Sequence, residues 1–366
     1  MRPAMHRQGA SVAARHWLRK LVDTGLAYWL AGPGVADRAA AGQSRQKPGD
    51  ESWKHRVNIL AAHFPRTMTE QRPPSIDPPA ALRWQQLPAT RSAWLHEEVA
   101  RRMRERLQWI RLQPLSWAHW EAVRGGLATH RELVQRYPKA ASFVVEPVAQ
   151  REQVAINTIA PRWWQGARWL DAPTRFEVPA PGAVQMLWAN MLLHMCAQPQ
   201  ALLAQWHQAL AVDGFVMFSC LGPDTLTELR AVYQSLGWPA PMHEFTDMHD
   251  WGDMLVQAGF AEPVMDMERI TLSFADPARL LQELRELGRN LHPARHPALR
   301  GRQWHGRLLQ ALDAQLRGPD GQLELTFEVI YGHAVKPEPR HTVRAQTVLS
   351  LEQIRASLNQ RKTYRG

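Results

Sequence analysis

Four groups of side chains in this 366-residue chain are of types that can do chemistry. Asn190, His194, Ser219 and the Gly222-Pro223-Asp224 loop gather in one stretch, 184–230, as small polar groups that can hold or orient a ligand. Asp247, His249, Asp250 and Asp253, with His243 and Glu244 near by, are metal-ligand types. Cys196 and Cys220 are the only two thiols. Arg279, Arg285, Arg289, Arg295, Arg300, Arg302, Arg307 and Arg317, joined by His292, His296 and His305, form a cationic run. Guanidinium groups recognise carboxylates through paired N–H donors, so such a run suits an acidic partner or a carboxylate substrate.

Local context separates these groups. Asp247 is a good helix N-cap, and Asp250 and Asp253 fall in the first turns, where negative charge favours the helix dipole. No Cys/His framework of zinc spacing accompanies them, so capping is the expected role and no metal is assigned. Cys220 falls inside an apolar strand and reads as a small buried hydrophobe. The arginine run is either a docking face or the solvated face of two helices.

The elements that position these residues follow from apolar spacing. Residues 184–189 read as a buried strand, 199–210 as a helix, Asp213-Gly214 as a turn and 215–220 as a second buried strand. Asp224 is then the expected N-cap of a helix over 226–236. Strand, crossover helix, strand is a parallel α/β unit, and ligands of such sheets sit beyond the carboxyl ends of the strands. That edge holds Asn190, His194, Ser219 and the 222–224 loop. Upstream, helices are expected over 92–111, 128–135 and 150–159, with strands from 115 and over 142–145. The proline-punctuated 73–88 reads as a linker or irregular lead-in. Downstream come helices over 248–258 (with Gly259 as C′), 277–288 and 303–316. A strand is expected over 264–274, and a strongly period-2 one over 323–331, with Leu323, Leu325, Phe327, Val329 and Tyr331 alternating with Glu324, Thr326 and Glu328, antiparallel to its neighbours.

Composition bounds the rest. The length suits one large α/β domain with attachments. The net charge is +10, but residues 1–67 carry +7 of it, so the high pI does not imply nucleic-acid binding by the main domain. No run of about 18 apolar residues occurs, so no membrane span is expected. Two cysteines give no disulfide framework, which fits a cytoplasmic setting. Residues 1–75 are expected to be a basic extension, disordered or an over-extended gene start, although the composition also resembles a targeting presequence. Residues 76–346 form the expected domain, with a helical insertion around 277–317, and 347–366 a tail.

Several runs resemble a known family in order and spacing. LGPDTLTELR (221–230), FTDMHDWGDMLVQAGFAEPVMDMERITLSF (245–274), ELRELGRN (283–290) and LTFEVIYGHAVKP (325–337) are similar to the malonyl-[acyl-carrier protein] O-methyltransferases of biotin synthesis. IDPPAALRW (76–84) and VARRMRERLQWIRLQP (99–114) resemble that family's entry helices. The resemblance implies a Rossmann-like class I methyltransferase, an α/β fold with a mostly parallel seven-stranded sheet and an antiparallel last strand. It implies S-adenosylmethionine as cofactor, the malonyl carboxylate as methyl acceptor, and an acidic acyl carrier protein as partner. The family's Asp-x-Gly-x-Gly-x-Gly run falls on Glu121 to Leu127, which keeps Glu121 as the acid, and Gly125 with Gly126 as glycines. Val123 and Leu127 replace the other two glycines, and a β-branched residue at a positive-φ position is strained. Glu146 is placed to accept both ribose hydroxyls, Asp171 to lie near the adenine, and Asn190 and His194 to face the methyl donor. His249, Arg289 and Asn290 are the expected substrate contacts. No catalytic side chain is assigned, because methyl transfer needs alignment rather than an enzyme nucleophile. Two alternatives stay open: a catalytically degenerate relative with a binding or assembly role, and a hydroxylase-type relative. The latter rests on a similarity of the C-terminal motifs to a mitochondrial complex I assembly factor that hydroxylates arginine.

Overall fold

The computed structural model describes residues 76–159 and 172–339, together with the backbone of Ala4–Met5. Residues 6–75, the tryptophan-rich segment with Trp163, Trp164 and Trp169, Asp171 and the tail 347–366 lie outside the described residues. The chain divides into two compact units, Met1–Lys336 and Pro337–Gly366, and the sheet and its site belong to the first.

The strands are β1 (Ala4–Met5), β2 (Ser116–Trp120), β3 (Ala141–Val145), β4 (Thr174–Arg175), β5 (Val184–Ala189), β6 (Leu210–Leu221), β7 (Ala261–Phe274) and β8 (Leu323–Val335). The helices are α1 (Pro78–Gln86), α2 (Trp94–Arg106), α3 (Ala122–Gly125), α4 (Leu127–Arg136), α5 (Ala149–Ile159), α6 (Pro199–Ala209), α7 (Thr227–Ser235), α8 (Met248–Gln257), α9 (Pro277–Leu287) and α10 (Arg302–Leu316). The sheet order is β1-β7-β8-β6-β5-β2-β3-β4. β2 pairs in parallel with β3 and β5, β3 with β4, and β5 with β6. β8 runs antiparallel between β6 and β7. The expected mixed α/β sheet of seven strands is therefore present, with the two residues of β1 added at the β7 edge.

β5 is apolar along nearly its whole length because both of its faces are covered, as a central parallel strand requires. Strand order reverses between β2 and β5, which both start from the middle of the sheet and are followed by chain running to opposite sides. Such a switch point opens a crevice beyond the carboxyl ends of the strands. Here the crevice falls between Glu121, after β2, and Asn190, after β5. α2 packs Leu95, Val99 and Met103 into the core, and Arg102 and Arg106 tie it to Glu268 and Asp266 of β7 at 2.9 and 3.0 Å.

Three local expectations are corrected. Residues 78–86 are a helix, as the resemblance of 76–84 to an entry helix implies, rather than the irregular lead-in that their prolines suggest. Pro78 and Pro79 stand at its first positions, where a missing N–H costs nothing and a fixed φ favours the helical start. Asp213-Gly214 is not a turn ahead of the strand: β6 already begins at Leu210 and runs through it, with Asp213 at φ 63° absorbing the irregularity. Asp224 does not cap α7; Leu226 does, and the Asp224 carboxylate pairs with Arg269 at 2.5 Å instead. Asp247 does cap α8, accepting the His249 N–H at 2.8 Å. Gly259 follows α8 at φ 96°, as a C′ glycine should.

Candidate active site

The crevice is built from the ends of three parallel strands. Glu121 leaves β2 in the left-handed region at φ 54°, and its N–H bonds to the carbonyl of Val145 at 2.8 Å. This sharp exit turns the chain straight into α3, so the run expected to be a glycine loop is one helical turn. Val123 sits inside that turn and carries no positive φ, so the expected strain at this position does not arise. Val123 and Leu127 pack with Ala122, Val144 and Ala155 in a small cluster of their own. The two glycine replacements thus fill space under the loop rather than distort it.

The retained glycines have steric reasons. A Cβ at Gly125 would lie 3.1 Å from His119 Nε2 and 3.3 Å from the Asn190 carbonyl. Gly126 has φ 132°, and a Cβ there would meet Glu97 Oε2 at 3.1 Å. Asn190 ties this loop to the rest of the crevice. Its Nδ2 donates to the carbonyls of Gly125 and His96, and its Oδ1 accepts from the Ser219 hydroxyl at 2.6 Å.

Glu146, at the end of β3, has no exposed side-chain surface. One carboxylate oxygen accepts the Val123 N–H at 2.7 Å, and the other accepts Arg151 Nε at 3.0 Å. Burial, with the nearby Glu121 charge, raises its pKa to about 7 against the opposing pull of Val123 and Arg151. Arg151, in the first turn of α5, is fully buried and was not anticipated from the sequence. Its Nη2 donates to Glu121 at 3.2 Å and its Nη1 to the carbonyl of Gln85, with Leu87 O at 3.5 Å. One guanidinium therefore spans both strand-end acids and the end of α1.

Beside this group lies a cavity lined by Trp84, His96, Glu121, Arg124, Asn190 and Met191, with Leu192, Met195 and Leu287. A water-sized sphere can centre in only about 20 Å³ of it, room for a water or two. Arg124 lies across the Trp84 ring at 3.9 Å and donates to the carbonyls of Trp84 and Leu87 at 2.8 and 2.9 Å. Its Nε has no partner, and burial followed by the Arg151 charge lowers its pKa to about 10. His96 Nδ1 lies 2.9 Å from the Arg124 carbonyl and so carries the proton, leaving Nε2 as a bare acceptor. Neither Arg124 nor His96 was expected at the site; both come from positions between the recognisable motif residues.

The other expected site residues divide. Arg289 lies on this side, its guanidinium 5.7 Å from the Trp84 ring, held by the carbonyls of Arg285 and Gly288. Asn290 is spent on the scaffold, donating to Ala240 O and accepting from His292 N–H, each at 2.8 Å. His194 is buried behind the crevice, edge-on to Phe245, with its carbonyl bonded to His243 at 2.7 Å. Its ring does not line the cavity. His249 is exposed at the start of α8 and bonds back to Asp247 at 2.7 Å. Asp171 lies outside the described residues.

The donor set fits S-adenosylmethionine in kind. Two strand-end carboxylates and a close-approach glycine turn are what a ribose diol and a methionine backbone need. What stands on those acids is Arg151.

A second feature lies on α9, α10 and the loop between them. Arg300 is framed by three rings, 4.1 Å from the centre of Trp304, 5.6 Å from Trp238 and 5.9 Å from Tyr233. Arg307 lies 5.9 Å from Trp238. Among the described residues neither arginine pairs with a carboxylate.

Comparison with known proteins places the chain. No family model matches it. It is 40% identical over 256 residues to a "Malonyl-[acyl-carrier protein] O-methyltransferase" of Gallionella capsiferriformans, covering 68% of this chain and 86% of that one. It is 36% identical over 260 residues to the protein of that name from Laribacter hongkongensis, covering 68% and 85%. Among solved structures it is similar to the YcgJ protein of Bacillus subtilis at 10% identity and TM-score 0.44, covering 65% of this chain and 98% of that one. The identity and coverage of these relatives establish that the chain belongs to the malonyl-[acyl-carrier protein] O-methyltransferase family.

Proposed function

We propose that this chain is a cytoplasmic S-adenosylmethionine-dependent O-methyltransferase that esterifies the malonyl carboxylate of an acyl carrier protein in biotin synthesis. The observation that carries the reading is 40% identity spread over 86% of a relative bearing that name. When bound, S-adenosylmethionine supplies a methyl group made electrophilic by its sulfonium. The acceptor carboxylate is ionised near neutral pH and is itself the nucleophile, so the protein's task is alignment and exclusion of water. Glu146 would accept the ribose hydroxyls. Glu121 and the Gly125-Gly126 turn would face the methionine part, with Asn190 fixing that turn from β5. Arg289, exposed beside Trp84, is the cation that would orient the malonyl carboxylate. The acyl carrier protein is acidic, and the arginine face of α9 and α10 suits it in charge.

A second reading is favoured by one observation, the burial of Arg151 against both acids. It is that the chain keeps the fold for binding or assembly without methyl transfer. Titration calorimetry with S-adenosylmethionine and with S-adenosylhomocysteine separates the two. The enzyme reading expects saturable heat that Glu146→Ala abolishes. Absence of binding at millimolar cofactor leaves only the second reading.

A further inference from the structure

Resting on the methyltransferase reading, we propose that Arg151 is an internal stand-in for the cofactor. It neutralises the strand-end acids while the site is closed, and must leave Glu146 before S-adenosylmethionine can enter.

A fully buried arginine is rare and needs complete compensation by charge and hydrogen bonds. Arg151 finds it in partners that all belong to the rim of one site. Glu121 ends β2, Glu146 ends β3, and Gln85 and Leu87 belong to the turn that closes α1. A scaffold arginine would not have to draw on both acids that a ribose and a methionine would claim.

The same turn is held from a second point. Arg124 donates to the carbonyls of Trp84 and Leu87 while stacking on Trp84. The turn itself is half-exposed or exposed from Trp84 to Leu87. It is therefore a surface cover pinned from below by two guanidinium groups. The cavity beneath has free space for only a water or two, which does not admit a nucleoside. Entry of the cofactor requires something to move, and the end of α1 is joined to the crevice through the Arg124 and Arg151 side chains, while the start of α1 is anchored separately through Asp77 to Leu291 and Arg295. The ribose diol and Arg151 would both donate to Glu146, so binding and latching are alternatives at one carboxylate.

A protein whose binding-competent state is a minor one binds with an apparent affinity reduced by that fraction. Arg151→Gln removes the ion pairs and keeps a polar side chain. It is expected to bind S-adenosylhomocysteine at least about tenfold more tightly than the wild type by calorimetry. Arg151→Lys, which keeps the charge but cannot reach four partners at once, should fall between. Stopped-flow mixing on the wild-type chain provides a test that does not depend on a folded variant. The observed binding rate should level off with rising cofactor, because release of Arg151 comes first. Equal or weaker binding by Arg151→Gln, or a wild-type rate that climbs linearly through the millimolar range, overturns the latch and leaves the methyltransferase reading standing. A total absence of binding by wild type and variant alike overturns the methyltransferase reading, and the latch with it.

Discussion

The backbone N–H of Val123 donates to the carboxylate of Glu146 at 2.7 Å. This bond joins the turn after β2 to the end of β3, and it uses the oxygen of Glu146 that Arg151 leaves free. The consequences of that pairing can be measured.

Glu146→Ala should be strongly destabilising. It removes the carboxylate that compensates a fully buried guanidinium and leaves Val123 N–H unpaired. Breaking a buried ion pair on one side costs about 3–5 kcal/mol. Urea unfolding should show a loss of that order, and Glu146→Gln, which can still accept a hydrogen bond, should lose less. A change within 0.5 kcal/mol, roughly the range of ordinary surface substitutions, would mean that the pair is not formed in solution.

Restoring a glycine at Val123 should harm the fold rather than relax it. Val123 is buried in a helical turn and packs with Leu127, Val144 and Ala155. Val123→Gly removes that packing and introduces a poor helix former, at a combined cost of about 2–4 kcal/mol. Equilibrium unfolding checks this; a more stable variant would show that the valine is strained after all.

Stability should fall steeply in mild acid. Burial lowers His96, His243 and His333 to about 4 and His130 to about 3, and holds His119 and His194 well below 6.5. Each histidine takes up a proton on unfolding between its folded value and about 6.5. The stability it contributes is thus present above 6.5 and lost as pH falls toward 4. Each accounts for up to about 1.4 kcal/mol per pH unit in that window. Glu146 has the opposite sign: raised to about 7, it favours the folded state at low pH and loses that contribution as pH climbs from about 4.5 to 7. Several histidines outweigh one carboxylate, so urea midpoints should drop from pH 7 to pH 5. A flat or rising profile would contradict the burial of these rings.

The aromatic-framed arginines should matter for the acidic partner. Arg300→Glu combined with Arg307→Glu reverses charge at two guanidiniums that pair with no carboxylate among the described residues. Binding of malonyl-acyl carrier protein, measured by surface plasmon resonance at low salt, should weaken by about tenfold, mainly through the association rate. The difference should shrink as salt screens the contact. An unchanged association rate would place the docking face elsewhere.

The sequence disclosed elements whose signal is local. Residues 184–189 are apolar apart from Gln185 because a central parallel strand is covered on both faces, whereas in β8 burial alternates over residues 323–327 and becomes continuous beyond, where both faces are covered. Asp247 caps α8 as its spacing implies. Signals that depend on distant partners were not legible. Asp224 looks like a cap until Arg269, 45 residues on, claims its carboxylate. Pro78 and Pro79 read as breakers on composition alone, and only the family resemblance of 76–84 implied the helix whose first turn they occupy. Val123 looked strained because a glycine motif was laid over a turn that has become helical. Arg151 carried no signal, since its partners come from α1, β2 and β3, and only folding brings them together.

Methyl transfer itself is tested most directly by intact-mass spectrometry of malonyl-acyl carrier protein after incubation with purified chain and millimolar S-adenosylmethionine. The expected result is gain of one methyl group on the malonyl carboxylate, reversed by mild esterase treatment and absent with Glu146→Ala. An unmodified carrier in the presence of wild type and of Arg151→Gln would contradict it.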